Sequence, residues 1–239
     1  MNDLKNSFLL SNENNNYLLD LKKLKMQLNK GPALIYFCSP TNPHGKIADS
    51  SFIEELVKIT RRYKSVLVVD ECYIDIFYKK KPIGTLEVCN KIGKKLDNVL
   101  IFHTLSKRSN VAGLRSGFVT GDDKIIDLFK KLRSYSAPTI PVPLQIASAK
   151  LWRDDKHVED NRKEYLKKIL FADRLFRQYQ HYKSPEAGFF LWLNVGNGEE
   201  FAKNIYSSYG IKVMPGKYLA VGNKNNPGKK FIRIALVHN

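Results

Sequence analysis

The hydrophobic positions of the chain fall into short blocks of two kinds. "ALIYFCSP" (33–40), "SVLVVDECY" (65–73) and "NVLIFHTLS" (98–106) are near-continuous apolar runs, each closed by a polar residue or a proline. Runs of this length, rich in β-branched and aromatic residues, predict buried strands. "GLRSGFVTGD" (113–122) predicts a fourth, shorter strand. "SSFIEELVKITRRYK" (50–64) instead repeats its apolar residues at helical spacing, and Ser51 three residues before Glu54 reads as a capping box. "DDKIIDLFKKLRSYS" (122–136) predicts a second helix. Apolar strands that alternate with helices predict an α/β fold with a mostly parallel, helix-covered sheet.

The pattern changes after Pro138, Pro141 and Pro143. A helix from Val142 is followed by a long amphipathic stretch over 154–179. Then 187–195, 201–210, 211–216 and 229–237 read as strand, helix, strand and strand, a smaller α+β unit. The boundary is expected near 150, dividing the chain into domains 1–150 and 151–239. Residues 1–16 are rich in Asn and read as loosely ordered. No internal repeat is visible.

A hydrophobic content of 43% over 239 residues is enough for a sizeable core. The formal charge of +17 raises nucleic acid as a partner. The lysines, however, are spread along the chain, and the densest run, Lys79-Lys80-Lys81, sits beside Pro82 like a solvated turn. No zinc-finger spacing, RNP motif or basic heptad accompanies them. The expectation is a Lys-rich surface suited to anionic small molecules, with no nucleic-acid partner. Three cysteines without a CxxC argue against a disulfide framework or a zinc site, and Cys38 and Cys72 read as buried small residues at strand ends. The first residues carry no long apolar stretch, and no segment approaches 18 apolar residues, so the expected location is the cytoplasm, away from membranes.

In open α/β sheets, ligands sit beyond the carboxyl ends of the strands. Asn42, Asp70, Tyr73, Thr104 and Lys107 all lie at or just past those ends. A lysine whose amine is kept partly neutral can form a Schiff base with a carbonyl cofactor. Pyridoxal 5′-phosphate uses such a lysine and an acid at its ring nitrogen. Asp70 suits the ring nitrogen, Tyr73 and Asn42 suit the phenolic oxygen, and Thr104 and Arg115 suit the phosphate. Each residue alone also has an ordinary reading: a solvated lysine, a strand-end acid, a core tyrosine.

Taken together, "CSPTNPHGKI" (38–47), "VVDECYIDI" (68–76), "TLSKRSNVAGLRSG" (104–117) and "FIRIAL" (231–236) resemble the four motifs of the class I/II aminotransferases, fold type I of the pyridoxal-phosphate enzymes. The spacings fit: 28 residues from Asn42 to Asp70, 37 from Asp70 to Lys107 and 8 from Lys107 to Arg115. The resemblance implies that Lys107 is the Schiff-base lysine and proton carrier, and Asp70 the partner of the ring nitrogen. It implies Asn42 and Tyr73 at the phenolic oxygen, and Thr104 and Arg115 at the phosphate. Arg233 becomes the clamp for the substrate α-carboxylate, with Asn42 beside it. Arg108 reads as a surface residue without a role. Implied substrates are an amino acid and a 2-oxo acid, and the implied assembly is a homodimer. "SKRSNVAGLRSGFVTGD" is most similar to the subset that acts on N-succinyldiaminopimelate in lysine biosynthesis, and aspartate-type members share most of it.

His44 stands where the family often has Thr, and Thr104 where it often has Ser. The larger departure is at the front. The family's Gly-rich phosphate turn, its ring-stacking aromatic and the tyrosine lent by a second subunit have no counterpart before Asn42. The expectation is a truncated or split chain that pairs with the lacking segment. Alternatives on the same scaffold are a C–S lyase, or an inert fragment that binds another chain.

Overall fold

The computed structural model describes residues 5–93, 95–136, 139–222 and 225–238; Pro138 lies outside them. The strands appear where the apolar runs predict them, but shorter. β1 is Leu34–Cys38, β2 Val66–Asp70, β3 Val99–Thr104 and β4 Gly117–Gly121. They form one sheet in the order β1-β2-β3-β4. β1 pairs parallel with β2, and β2 parallel with β3, whereas β4 runs antiparallel to β3. The antiparallel return follows from the short connection, since the chain re-enters beside Thr104 through the pair Thr104–Gly117. A Cβ at position 117 would lie 2.4 Å from the His103 carbonyl oxygen, so the close approach needs glycine.

Register puts Ile35, Leu67 and Val99 side by side, with Phe37, Val69 and Ile101 along the same face. All six are buried, and three helices cover them: α1 (Leu21–Leu28), α2 (Ser50–Arg62) and α3 (Thr85–Lys91). Each such side chain contributes roughly 1.5–3 kcal/mol by leaving water. The opposite face differs from a fully helix-covered sheet. Leu34 and Tyr36 are exposed there, and Val66, Val68 and Phe102 are half-buried. The apolar runs are continuous in sequence, but only one of the two faces is sealed by the described residues.

The second half opens with α5 (Asp123–Ser136), α6 (Val142–Arg153) and α7 (Lys156–Phe176). Residue 150 falls inside α6. A three-stranded antiparallel sheet follows in the order β5-β7-β6, from β5 (Phe190–Asn194), β6 (Met214–Pro215) and β7 (Phe231–Ala235), with α8 (Gly198–Tyr209) between β5 and β6. No helix among the described residues is long and apolar enough to cross a membrane.

Two local expectations are corrected. The Asn-rich start holds a capped turn over Glu13–Asn15, in which the Asn12 side chain accepts from the Asn14 amide and the Asn15 side chain from the Asn12 amide. The cap of α2 is Asp49, whose carboxylate accepts from the Phe52 amide at 2.8 Å and from the Ser51 hydroxyl at 2.7 Å. Ser51 already lies inside the helix. Asp49→Ala is therefore expected to lower the unfolding free energy by about 1 kcal/mol, the usual worth of a cap. Ser51→Ala is expected to cost a few tenths at most. Urea midpoints of the two variants check this, and a larger loss in Ser51→Ala would return the cap to Ser51.

Candidate active site

Polar groups collect at the carboxyl ends of β1, β2 and β3. Lys107 lies in α4 (Leu105–Arg108), a single turn directly after β3. Thr104 caps that turn: its hydroxyl oxygen accepts from the Ser106 amide at 3.1 Å and donates to the Ser116 carbonyl at 3.1 Å. Lys107 Nζ sits 5.7 Å from the centroid of the Phe189 ring and has no ion pair or hydrogen bond among the described residues. A cation over an aromatic face gains about 0.5–1 kcal/mol at exposed sites.

Asp70 ends β2 and is exposed; one of its oxygens accepts from the Cys72 amide at 2.9 Å. Cys38 and Cys72 flank it and are half-buried rather than buried, whereas Cys89 is buried. Burial, and then the Asp70 charge, push the Cys38 thiol up to about 12. The same two causes raise Cys72, against the opposing Lys107 charge. Both thiols therefore stay protonated at neutral pH.

Thr104, Ser106, Arg115 and Asp70 line one open hollow of about 870 Å³ together with His103 and Tyr36. Arg115 has a left-handed backbone, φ 54, and donates to the Ala112 carbonyl at 2.9 Å. Lys107, Tyr73, Asn42 and Arg233 do not line this hollow. Aromatic rings connect Lys107, Tyr73 and Arg233 to one another. Tyr73 meets Phe189 and Phe190 edge-on, each at 5.6 Å. The Arg233 guanidinium lies 4.4 Å from the Phe190 centroid, and its Nη1 donates to Asn42 Oδ1 at 3.1 Å. Its Nε is buried without a partner among the described residues. Burial lowers the Arg233 pKa and raises that of the Tyr73 hydroxyl. Cys72 joins the two groups, since it lines the hollow and feels the Lys107 charge.

The match to known proteins decides what this arrangement belongs to. The family model of aminotransferase class I and II matches residues 7–239. The chain belongs to the class I and II aminotransferases. Members of this family depend on pyridoxal phosphate, and the chain has the fold of its type I enzymes. The crystal structure of an aminotransferase from Neisseria meningitidis is 36% identical, with a TM-score of 0.86, over 93% of this chain and 58% of that one. The aminotransferase AspB from Helicobacter pylori is 33% identical, with a TM-score of 0.87, over 95% of this chain and 59% of that one. Among curated relatives, the 4-dedimethylamino-4-oxo-anhydrotetracycline transaminase OxyQ of Streptomyces rimosus is 32% identical over 88% of this chain and 57% of its own length. The LL-diaminopimelate aminotransferase of Natranaerobius thermophilus is 29% identical over 94% and 57%. The chain thus spans a little under three-fifths of each of these four relatives.

Several neighbours of this candidate site were not legible as such. Phe189 and Phe190 read as strand interior, and nothing local marks them as the shelf beside Lys107 and Arg233. Arg108 is not a surface residue; it is 8% exposed and bridges Asp75 and Asp155. His44 stacks on Tyr17 at 4.0 Å and meets the Trp192 edge at 5.4 Å. Burial depresses its pKa to about 4. The folded chain keeps His44 neutral, while the unfolded chain takes up a proton below about 6.5. Its contribution to stability is therefore complete above pH 6.5 and is lost as the pH falls from there to about 4. His44→Gln, neutral at every pH, is expected to remove that part of the acid sensitivity. Urea midpoints of both proteins between pH 7.5 and 4.5 test it, and parallel curves would overturn it.

Proposed function

We propose that this chain carries the lysine and the carboxylate clamp of a pyridoxal-phosphate-dependent aminotransferase, which moves an amino group between an amino acid and a 2-oxo acid. The observation that carries the reading is Lys107: an amine with no acid partner among the described residues, on a turn between Thr104 and Arg115, whose charge and that of Asp70 both act on Cys72. The donor set fits the cofactor. Hydroxyls of Thr104 and Ser106 and the Arg115 guanidinium suit a phosphate, and the exposed Asp70 carboxylate suits a protonated ring nitrogen. When bound, the cofactor supplies an electron sink for a carbanion at the amino acid's α-carbon. Asp70 would keep the proton on the ring nitrogen, and Tyr73 and Asn42 would donate to the phenolic oxygen. Lys107 Nζ would take and return the α-carbon proton. Arg233 would hold the α-carboxylate: Asn42 fixes Nη1, and the unpartnered Nε gains an acceptor, relieving a cost of about 1–3 kcal/mol. In this reading residues 1–150 hold the cofactor, and residues 151–239 bring the clamp.

For the substrate we propose an N-succinyldiaminopimelate-type amino acid in a biosynthetic route, and the cytoplasm as the location. The stretch 106–122 and relatives named LL-diaminopimelate aminotransferase support the substrate. About two-fifths of each of the four relatives named above lies outside the match. The unsealed sheet face with Leu34 and Tyr36, and the α5 residues Leu128, Leu132 and Tyr135, are exposed and apolar. We propose that polypeptide equivalent to that remainder covers them, and that the covered unit forms a homodimer.

The test is direct. With cofactor and borohydride, peptide mapping is expected to find the label on Lys107; label on other lysines alone would sink the assignment. Turnover of amino donors by the chain as it stands is expected to stay well below the usual enzyme range of about 1 s⁻¹, and to rise when the equivalent of the remainder is supplied. Full turnover without it would overturn the pairing. Release of ammonia and a thiol, with no oxo-acid exchange, would reassign the chemistry to elimination. In the active form, Arg233→Lys keeps the charge but loses the planar fork, so amino and oxo acids are expected to bind about tenfold or more weakly together. Equal affinities would place the clamp elsewhere.

A further inference from the structure

The three residues after Lys107 are each fastened to the helix-forming segment 152–165. Arg108 donates through Nη2 to Asp155 at 2.7 Å, with Asp75 at 3.6 Å from Nη1. Its guanidinium lies 5.4 Å from the Trp152 ring centroid, and the residue is 8% exposed. Ser109, equally buried, has its hydroxyl 2.8 Å from His157 Nε2, and His157 Nδ1 is 2.9 Å from Asp154. Asn110 accepts from the Tyr165 hydroxyl at 2.8 Å. Tyr165 in turn stacks on Phe189 at 5.1 Å with an interplanar angle of 18°, and Phe189 is the ring beside Lys107 Nζ. The contacts close a loop from Lys107 through Asn110, Tyr165 and Phe189 back to Lys107.

A turn of four residues has no helical stability of its own. Its backbone ties are few: the Leu105 amide reaches the Ser116 carbonyl, and the Ser109 amide the Leu105 carbonyl, each at 3.0 Å. An ion pair to the exposed Asp155 alone would be worth little. The buried guanidinium changes that, because a buried cation stripped of its partners is strongly unfavourable. We infer that Arg108, Ser109 and Asn110 form a three-point latch that ties the Lys107 turn to α7, and that they are positioning residues for the Lys107 amine. A misplacement of about 1 Å at a reacting group can cost a hundredfold, which is what such a latch would prevent. The positioning role rests on the reading of Lys107 as the reactive amine; the latch itself does not.

The experiment compares the full chain with Arg108→Gln, Arg108→Lys, Ser109→Ala and Tyr165→Phe by hydrogen exchange and by cofactor labelling with borohydride. In Arg108→Gln the Leu105 and Ser109 amides are expected to exchange roughly tenfold or more faster, while β1 and β2 amides keep their rates. Label on Lys107, relative to that on the other lysines, is expected to fall by a similar factor. Arg108→Lys is expected to restore part of both, since it keeps the charge facing Asp155. If Arg108→Gln does not fold, Ser109→Ala and Tyr165→Phe carry the comparison, each removing one tie. Unchanged exchange at residues 105 and 109 overturns the latch, and so does faster exchange spread evenly into β1 and β2. Label on Lys107 that is equal in all variants overturns the positioning role. No label on Lys107 in the unsubstituted chain overturns the reading of that lysine, while the exchange data still judge the latch.

Discussion

The site depends on how the segment 184–190 seats on the turn 41–47. Gly45 has φ +66, and a Cβ there would lie 2.4 Å from the Ala187 carbonyl oxygen. Its own carbonyl accepts the amides of Glu186 and Ala187, at 2.9 and 3.0 Å. The Glu186 carboxylate then takes Lys46 Nζ at 2.7 Å and the Ile47 amide at 3.0 Å. Backbone groups brought this close must find partners, and here they find each other. The seating brings Phe189 beside Lys107 and Phe190 beside Tyr73 and Arg233. Groups far apart along the chain become one neighbourhood because one turn lacks a side chain.

The sheet supplies the rigid part. Its sealed face holds β1, β2 and β3 in register against α1, α2 and α3, so their carboxyl ends are fixed relative to one another. Sites built on rigid strands and their first turns hold geometry better than sites on free loops. The other face leads from Tyr36 and Val68 to Asp70, and opens into the hollow that Thr104 and Arg115 border. The relatives named above extend beyond the matched region by about two-fifths of their own length.

Charge at the rim is arranged by burial as much as by pairing. Cys38 and Cys72 sit beside Asp70 but stay protonated, which leaves Asp70 as the anion facing the hollow. Arg233 is half-buried on β7, with Asn42 as its side-chain partner. Lys107 has aromatic carbon beside it rather than a carboxylate. Cations without acid partners among the described residues remain available to an anionic or carbonyl ligand.

Strand positions, the parallel order of the first three and the motif residues Asn42, Asp70, Tyr73, Thr104, Lys107, Arg115 and Arg233 are legible along the chain, because apolar runs and residue spacing are local signals. The later elements β5, α8, β6 and β7 were legible too, since they keep simple periods. Other features were not. Asp49 rather than Ser51 caps α2, a matter of which oxygen reaches the Phe52 amide. α1, "LKKLKMQL", buries only Leu24 and Leu28 and has too short an apolar stripe to stand out. Arg108 looks like one more surface cation until α6 and α7 fold over it and supply Trp152 and Asp155. Sequence alone determined which chemical groups arrive at the strand ends, since the period of burial sets which residues end a strand. Only the tertiary structure decided which of them share a hollow, which ring lies beside Lys107 and which helix holds its turn, because those contacts join segments that no local period relates.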